Sequence, residues 1–294
     1  MHSRREFLQV SAASAGLWLS RTQHPAPAAE EPPATAPPVR VIDCHAHLYY
    51  GNGSADLEKE RLLIEAADKL GIQQLCTSLL TPKRPATVEG FQNCNRWMAE
   101  ACQRHPDRLL GYCYVNPEYG PEALTEIRRY VEDHGFIGVK LYNEHRCTEP
   151  IVFPVVELAI ELKVPILHHA GHSHYFNTEQ PNISDGGHLA ELARRYPESL
   201  LICAHVGGGG DWEWTIKSVR HAPNVFLDTS GSVTDDGMID MAARVVGVNR
   251  LLFGCDMSFT AGVGKLRAAR LTAAEKEQIL GQNMLRILAR RSNS

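Results

Sequence analysis

Apolar runs of strand length alternate with amphipathic stretches of helix length from Val41 to near the end of the chain. The apolar runs predict strands at 41–48, 73–80, 109–116, 138–142, 165–171, 200–207, 225–231 and 250–256. The stretches between them predict helices at 57–70, 88–104, 121–134, 153–163, 187–196, 212–221 and 236–246. A last helix is predicted at 272–289, after the eighth strand.

This alternation determines the predicted fold class. Strands that alternate with helices are typical of right-handed βαβ units around a parallel sheet. Eight such units in about 250 residues have the size of a closed (β/α)8 barrel. A doubly wound open sheet is the competing architecture, but no Gly-rich fingerprint follows the first predicted strand. The sequence therefore predicts an α/β protein with the (β/α)8 TIM barrel fold.

The composition limits the classes of partner. The chain has 294 residues, of which 44% are apolar, and this permits a sizeable core. Its formal net charge of −4 gives no sign of a nucleic-acid-binding surface, so small molecules are the expected partners. The eight cysteines include no C-x-x-C pair, which gives no support to a thiolate zinc site or a redox motif. We interpret them as buried thiols.

The N-terminus resembles an export signal. Arg4 and Arg5 precede a Phe-Leu pair and a mildly apolar stretch from Val10 to Leu19, which is too short to span a membrane. The adjacent arginines resemble the twin-arginine signal, which implies the twin-arginine export machinery as a partner and a periplasmic or secreted protein. The alternative is a cytoplasmic chain with a basic tail. The expected organisation is a signal peptide at 1–28, a Pro/Ala-rich linker at 29–38 and one barrel domain at 39–294.

Metal-binding side-chain types stand at the carboxyl ends of several predicted strands, where a barrel of this kind has its active site. His45 and His47 end the first strand and project from the same face, because side chains alternate along a strand. The other groups are Lys140 on the fourth strand, His168 and His169 on the fifth, His205 on the sixth and Asp256 on the eighth.

Each of these groups has a simpler explanation when it is taken alone. A histidine at a strand end is more often a hydrogen-bonded structural residue than a ligand, and an aspartate after a strand is commonly a helix N-cap. Together, however, they converge on one mouth of the barrel. Burying them there without a metal or partners costs several kcal/mol each. The set as a whole therefore favours a metal site.

The motifs that contain these residues resemble the amidohydrolase superfamily. They are the Asp-x-His-x-His that starts at Asp43, the Pro-x-x-x-His-x-Gly that starts at Pro165, the His-x-Gly-Gly that starts at His205, the Gly-Cys-Asp that ends at Asp256, and Ile279–Asn283 in the last helix. The resemblance is strongest to the amidohydrolase-related branch, which includes aminocarboxymuconate-semialdehyde decarboxylase and many metal-dependent hydrolases. It covers nearly the whole predicted domain.

The resemblance implies roles for individual residues in a barrel of the metallo-dependent hydrolase type. A divalent cation, with zinc the expected ion, would be bound by His45, His47, His169 and Asp256. His205 would stabilise a developing oxyanion or exchange a proton, and Asp256 would pass the proton of the attacking water to the leaving group. Lys140 has three interpretations: a carboxylated lysine that bridges to a second metal ion, a bystander, or an ordinary ion pair with a buried stem.

These roles predict a hydrolase in which a metal-activated water attacks a C–N or C–O bond of a small carbonyl substrate. The first alternative is a metal-dependent, non-oxidative decarboxylase, which needs a carboxylate-binding arginine such as Arg84 or Arg146. The second is a non-catalytic barrel that binds a ligand or a metal. Members of the family are often dimers, so a homodimer is one expectation.

Overall fold

The sheet follows the chain from one parallel strand to the next. The computed structural model describes residues 40–292 apart from 52–53, 174–179, 232 and 257, so the predicted signal peptide and linker lie outside the described residues. Within this part of the chain, eight strands form one parallel sheet in sequence order. They are β1 (Ile42–His47), β2 (Gln74–Ser78), β3 (Leu109–Tyr114), β4 (Gly138–Leu141), β5 (Ile166–His168), β6 (Leu201–Cys203), β7 (Val225–Asp228) and β8 (Leu251–Leu252).

Hydrogen bonds between β1 and the segment around β8 close this sheet into a barrel. The N–H of Cys44 donates to the carbonyl oxygen of Phe253 at 2.8 Å. The N–H of Asp256 donates to the carbonyl oxygen of His45 at 2.6 Å, and Ala46 pairs with Asp256 as in a parallel ladder. These contacts confirm the predicted (β/α)8 TIM barrel.

Helices cover the outer face of the sheet. Several begin at a side-chain cap: Asp56 accepts from the N–H of Lys59, and Thr87 accepts from the N–H of Gly90. None of the described helices is long and apolar enough to cross a membrane. The helices are α1 (Leu57–Lys69), α2 (Val88–Arg104), α3 (Gly120–Glu132), α4 (Phe153–Glu161), α5 (Gly186–Arg195), α6 (Trp212–Ser218), α7 (Met238–Val246), α8 (Phe259–Ala268), α9 (Ala273–Glu277) and α10 (Asn283–Ser292).

An apolar cluster fills the inside of the barrel beneath the predicted site. It joins side chains of six strands with Met284 and Ile287 of α10. The pairing of β1 with β2 shifts register between Asp43 and Ala46, which is an irregularity of the β-bulge type. Such a bulge changes which way neighbouring side chains point. Cys44 can therefore belong to the inner cluster although His45 and His47, farther along the strand, face the site.

The predicted order of strands and helices is confirmed, and the differences lie mostly at element ends. The strands predicted at 165–171, 200–207 and 250–256 are only the β5, β6 and β8 given above, because the residues that follow keep single bonds to neighbouring strands but no regular ladder. The backbone of Asp256 there has φ of 55°. The sequence analysis missed helix α8 and a short hairpin of Tyr50–Gly51 with Ser54–Ala55. The predicted last helix is interrupted by a π-helical segment at Gln278–Gln282.

Gly138 of β4 lies so close to neighbouring strands that we predict a loss of stability when it is replaced. A Cβ at this position would lie 2.4 Å from the carbonyl oxygen of Pro165 and 3.0 Å from the ring of Tyr112. Gly138→Ala should therefore lower the free energy of unfolding by about 1–3 kcal/mol, measured by urea unfolding. Gly264→Ala in α8 is the matched control, since a Cβ there meets no described atom within 4 Å. It should leave stability unchanged or raise it by about 0.5–1 kcal/mol. Equal losses in both variants would contradict the prediction.

Candidate metal centre

Three of the predicted ligands meet where the barrel closes. The Nε2 atoms of His45 and His47 lie 3.1 Å apart. Oδ1 of Asp256 lies 3.3 Å from Nε2 of His47 and 3.8 Å from Nε2 of His45. Two imidazole nitrogens and one carboxylate oxygen therefore converge on one point, as a metal ion requires of its ligands.

The hydrogen-bond partners of Nδ1 in His45 and His47 determine which ring nitrogen carries the proton. Nδ1 of His45 is 2.8 Å from Oδ2 of Asp228, and Nδ1 of His47 is 3.2 Å from the carbonyl oxygen of Ser78. Because these oxygens accept, each Nδ1 carries the proton and donates it outward. Burial lowers the pKa of both imidazoles well below the usual value, which favours neutral rings. Each Nε2 therefore presents a lone pair.

A cluster of acceptors of this kind needs a positive charge. Two lone pairs and a carboxylate oxygen face one another with no proton between the imidazoles, and this arrangement is unfavourable until a cation lies among them. Nζ of Lys140, which is fully buried, lies 2.9 Å from Nε2 of His45 and supplies one such charge. Burial lowers the pKa of Lys140 to about 8. The donor set of His45, His47 and Asp256 fits a divalent cation.

His169 and His205 form a second pair beside this group. Nδ1 of His169 lies 3.1 Å from Nε2 of His205, and Nε2 of His169 lies 3.1 Å from Oε1 of Gln180. Burial lowers the pKa of His169 to about 3. Nδ1 of His205 lies 3.8 Å from Oδ2 of Asp256, so this histidine stands next to the three convergent ligands. The metal-binding role of His169 stays a prediction, since its ring nitrogens contact His205 and Gln180.

Side chains of the loops above β2 and β4 form a stack over the site. The guanidinium carbon of Arg84 lies 3.9 Å from the ring centroid of Tyr142. The ring of Tyr142 stacks on His169 with centroids 4.2 Å apart and planes 20° apart. Arg84 thus places a positive charge near the barrel mouth, whereas Nη2 of Arg146 donates to the carbonyl oxygen of Pro181. Of the two arginines named from the sequence, Arg84 has the better position to meet an anionic substrate.

A cavity adjoins Asp256. Its volume is about 310 Å³. Its lining is mostly apolar and comprises Tyr49, Leu62, Leu63, Ala66 and Phe259, with Lys59 and Asp256.

Two aspartates that the sequence analysis did not select support the site from below. Oδ1 of Asp43 accepts from the backbone N–H groups of His45 and Cys255, at 2.9 and 3.0 Å, and burial raises the pKa of Asp43 to about 8. Asp228 accepts from the ring of His45. Asp43 lies within apolar β1 and Asp228 ends apolar β7, and a buried carboxylate is unusual in such strands. That was the signal that could have revealed them.

Comparison with known proteins identifies the family. The profile of the family described as "Amidohydrolase" matches residues 42–290. The chain belongs to the amidohydrolase family. It is therefore an enzyme of the amidohydrolase superfamily, as the motifs predicted.

The chain is similar to curated decarboxylases. The chain is 25% identical over 260 residues to gamma-resorcylate decarboxylase of Polaromonas sp. (strain JS666), a match that covers 69% of this chain and 78% of that protein. It is 34% identical over 90 residues to gamma-resorcylate decarboxylase of Rhizobium radiobacter, covering 28% of this chain and 27% of that protein. Among solved structures, 5-carboxyvanillate decarboxylase from Sphingomonas paucimobilis matches with a TM-score of 0.68 at 17% identity, covering 86% of this chain and 99% of that chain. This last match shows the fold.

The prediction of a hydrolase was wrong. The curated relatives are decarboxylases, and this finding favours the alternative reaction over water attack on a C–N or C–O bond. The error has a chemical cause. The strand-end motifs mark a metal centre, and a metal ion that polarises a carbonyl group for hydrolysis polarises a substrate oxygen equally well for decarboxylation. The motifs therefore identify the family but do not determine the reaction.

The convergent ligands predict the metal stoichiometry. Protein freed of metal by a chelator should bind close to one Zn²⁺ or Mn²⁺ per chain, and His47→Ala should weaken that binding at least tenfold, because a ligand is lost. Calorimetry or chelator competition measures both quantities. His172→Ala is the matched control, because this ring pairs with Asp185 at 2.6 Å, outside the convergent group. Binding of two ions, reduced to one in Lys140→Met, would contradict the mononuclear site and indicate a carboxylated lysine.

Proposed function

We propose that the chain is a metal-dependent, non-oxidative decarboxylase of an aromatic carboxylic acid. The observation that carries this proposal is the 25% identity to gamma-resorcylate decarboxylase along 78% of that protein. The convergent donors at the barrel mouth support it, because they fit a divalent cation. The proposed ligands are His45, His47, His169 and Asp256.

The identity of the ion is a separate part of the proposal. Two or three imidazoles and a carboxylate suit zinc, which was the ion expected from the sequence. The structure of dihydroxybenzoic acid decarboxylase from Polaromonas sp. JS666 contains bound manganese. Zinc and manganese are therefore the two ions to compare in every assay.

The side chains can supply the proton that decarboxylation requires. The bond between the ring carbon and the carboxylate breaks, both electrons stay on the ring carbon, carbon dioxide leaves, and the carbon takes one proton. A bound divalent cation would draw electron density from a substrate oxygen and so weaken that bond. The pair of His205 and Asp256, with Nδ1 and Oδ2 3.8 Å apart, is positioned to carry the proton and to recover it from water.

The stack above the site suits an aromatic anion. The Arg84 guanidinium attracts a carboxylate, and the ring of Tyr142 offers an apolar face beside it. The mostly apolar cavity next to Asp256 has room for the non-reacting part of a small substrate. These features explain why the site would favour an aromatic acid over a neutral ester or amide.

We also propose that the protein is exported by the twin-arginine machinery after it folds. The support is the sequence pattern alone: Arg4 and Arg5, the apolar stretch after them and the Pro/Ala-rich segment at 29–38. Cell fractionation of the full chain, with both arginines intact or replaced by lysine, tests this proposal. Retention of both proteins in the cytoplasm would contradict it.

The reaction is tested by measuring carbon dioxide release. Metal-loaded protein is incubated with 2,6-dihydroxybenzoate, 5-carboxyvanillate and related hydroxybenzoates, and a matched set of esters and amides is assayed for hydrolysis. We expect carbon dioxide and, in D₂O, one deuterium on the carbon that lost the carboxylate. Release must cease when the metal is removed. Metal-dependent hydrolysis of an ester or amide without carbon dioxide from any acid would overturn the proposal.

The position of Arg84 predicts a specific defect. Arg84→Met should raise KM for the acid by roughly 10- to 100-fold with little change in kcat, because a charge-assisted contact of about 1.5–3 kcal/mol is lost on binding. Steady-state kinetics with the preferred acid measures both constants. Arg146→Met is the matched control, since its guanidinium bonds to Pro181, and it should change KM little. A larger effect at Arg146 than at Arg84 would reverse this assignment.

A further inference from the structure

The carboxylate of Asp228 lies behind the metal centre and contacts both histidine pairs. It ends strand β7 and is fully buried, as is His45. Its Oδ2 accepts from Nδ1 of His45 at 2.8 Å. Its Oδ1 accepts from the backbone N–H groups of Ser230 and His205, at 2.7 and 3.2 Å. One carboxylate therefore has contacts to a ligand ring and to the backbone of the neighbouring functional histidine.

The contact with His45 acts on the tautomer of a ligand from the Nδ1 side, while Nζ of Lys140 lies 2.9 Å from Nε2 of the same ring. A neutral imidazole carries one proton, and only its unprotonated nitrogen can bind a metal ion. Asp228 keeps the proton on Nδ1, so Nε2 keeps its lone pair and points at His47 and Asp256. If the proton moved to Nε2, the convergent group would lose one of its three donor atoms. Carboxylates that accept from ligand histidines have this orienting effect in metal sites generally.

The contact with His205 stabilises an unfavourable backbone conformation. His205 has φ of 57°, a left-handed conformation that costs a non-glycine residue roughly 1–2 kcal/mol. The bond from its N–H to Oδ1 of Asp228 offsets part of this cost. Oγ of Ser230 lies 3.0 Å from Nδ1 of the same ring, and Nζ of Lys265 donates to the carbonyl oxygens of Ser230 and Gly231. Asp228 thus holds the backbone of His205, and Ser230 holds its ring.

We propose that Asp228 is the positioning residue of the metal centre: it holds His45 with Nε2 free for the cation, and it holds the backbone that places His205. The metal ion itself does not contact Asp228 in this proposal, because Oδ2 lies on the far side of the His45 ring. The proposal rests on the metal centre and not on the decarboxylation step. Its test therefore uses metal affinity and the proton position, neither of which needs a substrate.

The decisive variant is Asp228→Asn, which preserves size. Its amide oxygen can still accept from the backbone N–H groups of Ser230 and His205, but its NH₂ group cannot accept from His45 and would instead donate to it. The proton of His45 should then move to Nε2. We expect the Kd for Zn²⁺, measured by chelator competition, to rise 10- to 100-fold, as for other residues that orient metal ligands.

Asp185→Asn is the matched control. Asp185 is also buried, and its carboxylate accepts from the ring of His172 and from the backbone N–H of His188, but it caps helix α5 away from the convergent ligands. Asparagine is an equally good N-cap, so the helix should keep its cap. The Kd for Zn²⁺ should stay unchanged in this variant. Unchanged affinity in Asp228→Asn, or an equal loss in Asp185→Asn, overturns the proposal.

Nuclear magnetic resonance of the metal-free protein gives a second test that needs no folded variant of Asp228. Long-range ¹H–¹⁵N correlations distinguish a protonated Nδ1 from a protonated Nε2, and loss of cross-peaks in His45→Gln assigns the ring. We expect His45 in the wild-type protein to be neutral with its proton on Nδ1. A proton on Nε2 in the wild-type protein overturns the proposal, whatever the protein does with any acid.

Discussion

The closure of the barrel between β1 and the segment after β8 is the constraint on which the rest of the site depends. The bond from the N–H of Asp256 to the carbonyl oxygen of His45 joins the first and last strands at the level of the ligands. Asp43 adds a side-chain link, because its Oδ1 accepts from backbone N–H groups on both sides of this seam. As a result, ligand atoms from opposite ends of the sequence lie 3.8 Å apart. An open sheet would keep them on separate edges.

The positions of the protons explain why these side chains belong to a cation site and not to an ordinary polar core. Polar groups buried in a core normally pair as donor with acceptor. Here the donors of His45 and His47 point outward to Asp228 and Ser78, so that acceptors face acceptors at the centre. Lys140 compensates in part, but burial lowers its pKa to about 8, so its ammonium form is less stable there than in water. A divalent cation would satisfy the acceptors of His45, His47 and Asp256 at once.

The sequence predicted the layers of the fold and the residues at its seam because both follow from simple periodicities. Alternating apolar and amphipathic segments gave the barrel, and strand ends gave His45, His47 and Asp256. Asp228 was missed because the seventh strand was predicted to run to residue 231, whereas β7 ends at Asp228 itself, and only the three-dimensional contact with His45 shows its role. The stack of Arg84 on Tyr142 could not be predicted from the sequence for another reason. It joins two loops whose relative position depends on the whole barrel, and no local pattern encodes such a contact.

The sequence could not predict the reaction either, and the reason is physical. Hydrolysis and decarboxylation both begin with a cation that draws electron density from a substrate oxygen, so both need the same strand-end ligands. They differ afterwards: hydrolysis needs a water molecule aimed at the carbonyl carbon, whereas decarboxylation needs a held carboxylate and a proton for the carbon. The groups that can meet the second requirement are Arg84 above the site and the pair of His205 and Asp256 beside it. Two of these three, His205 and Asp256, lie in the strand-end motifs that predicted a hydrolase, so Arg84 is the group that distinguishes the two sets of requirements.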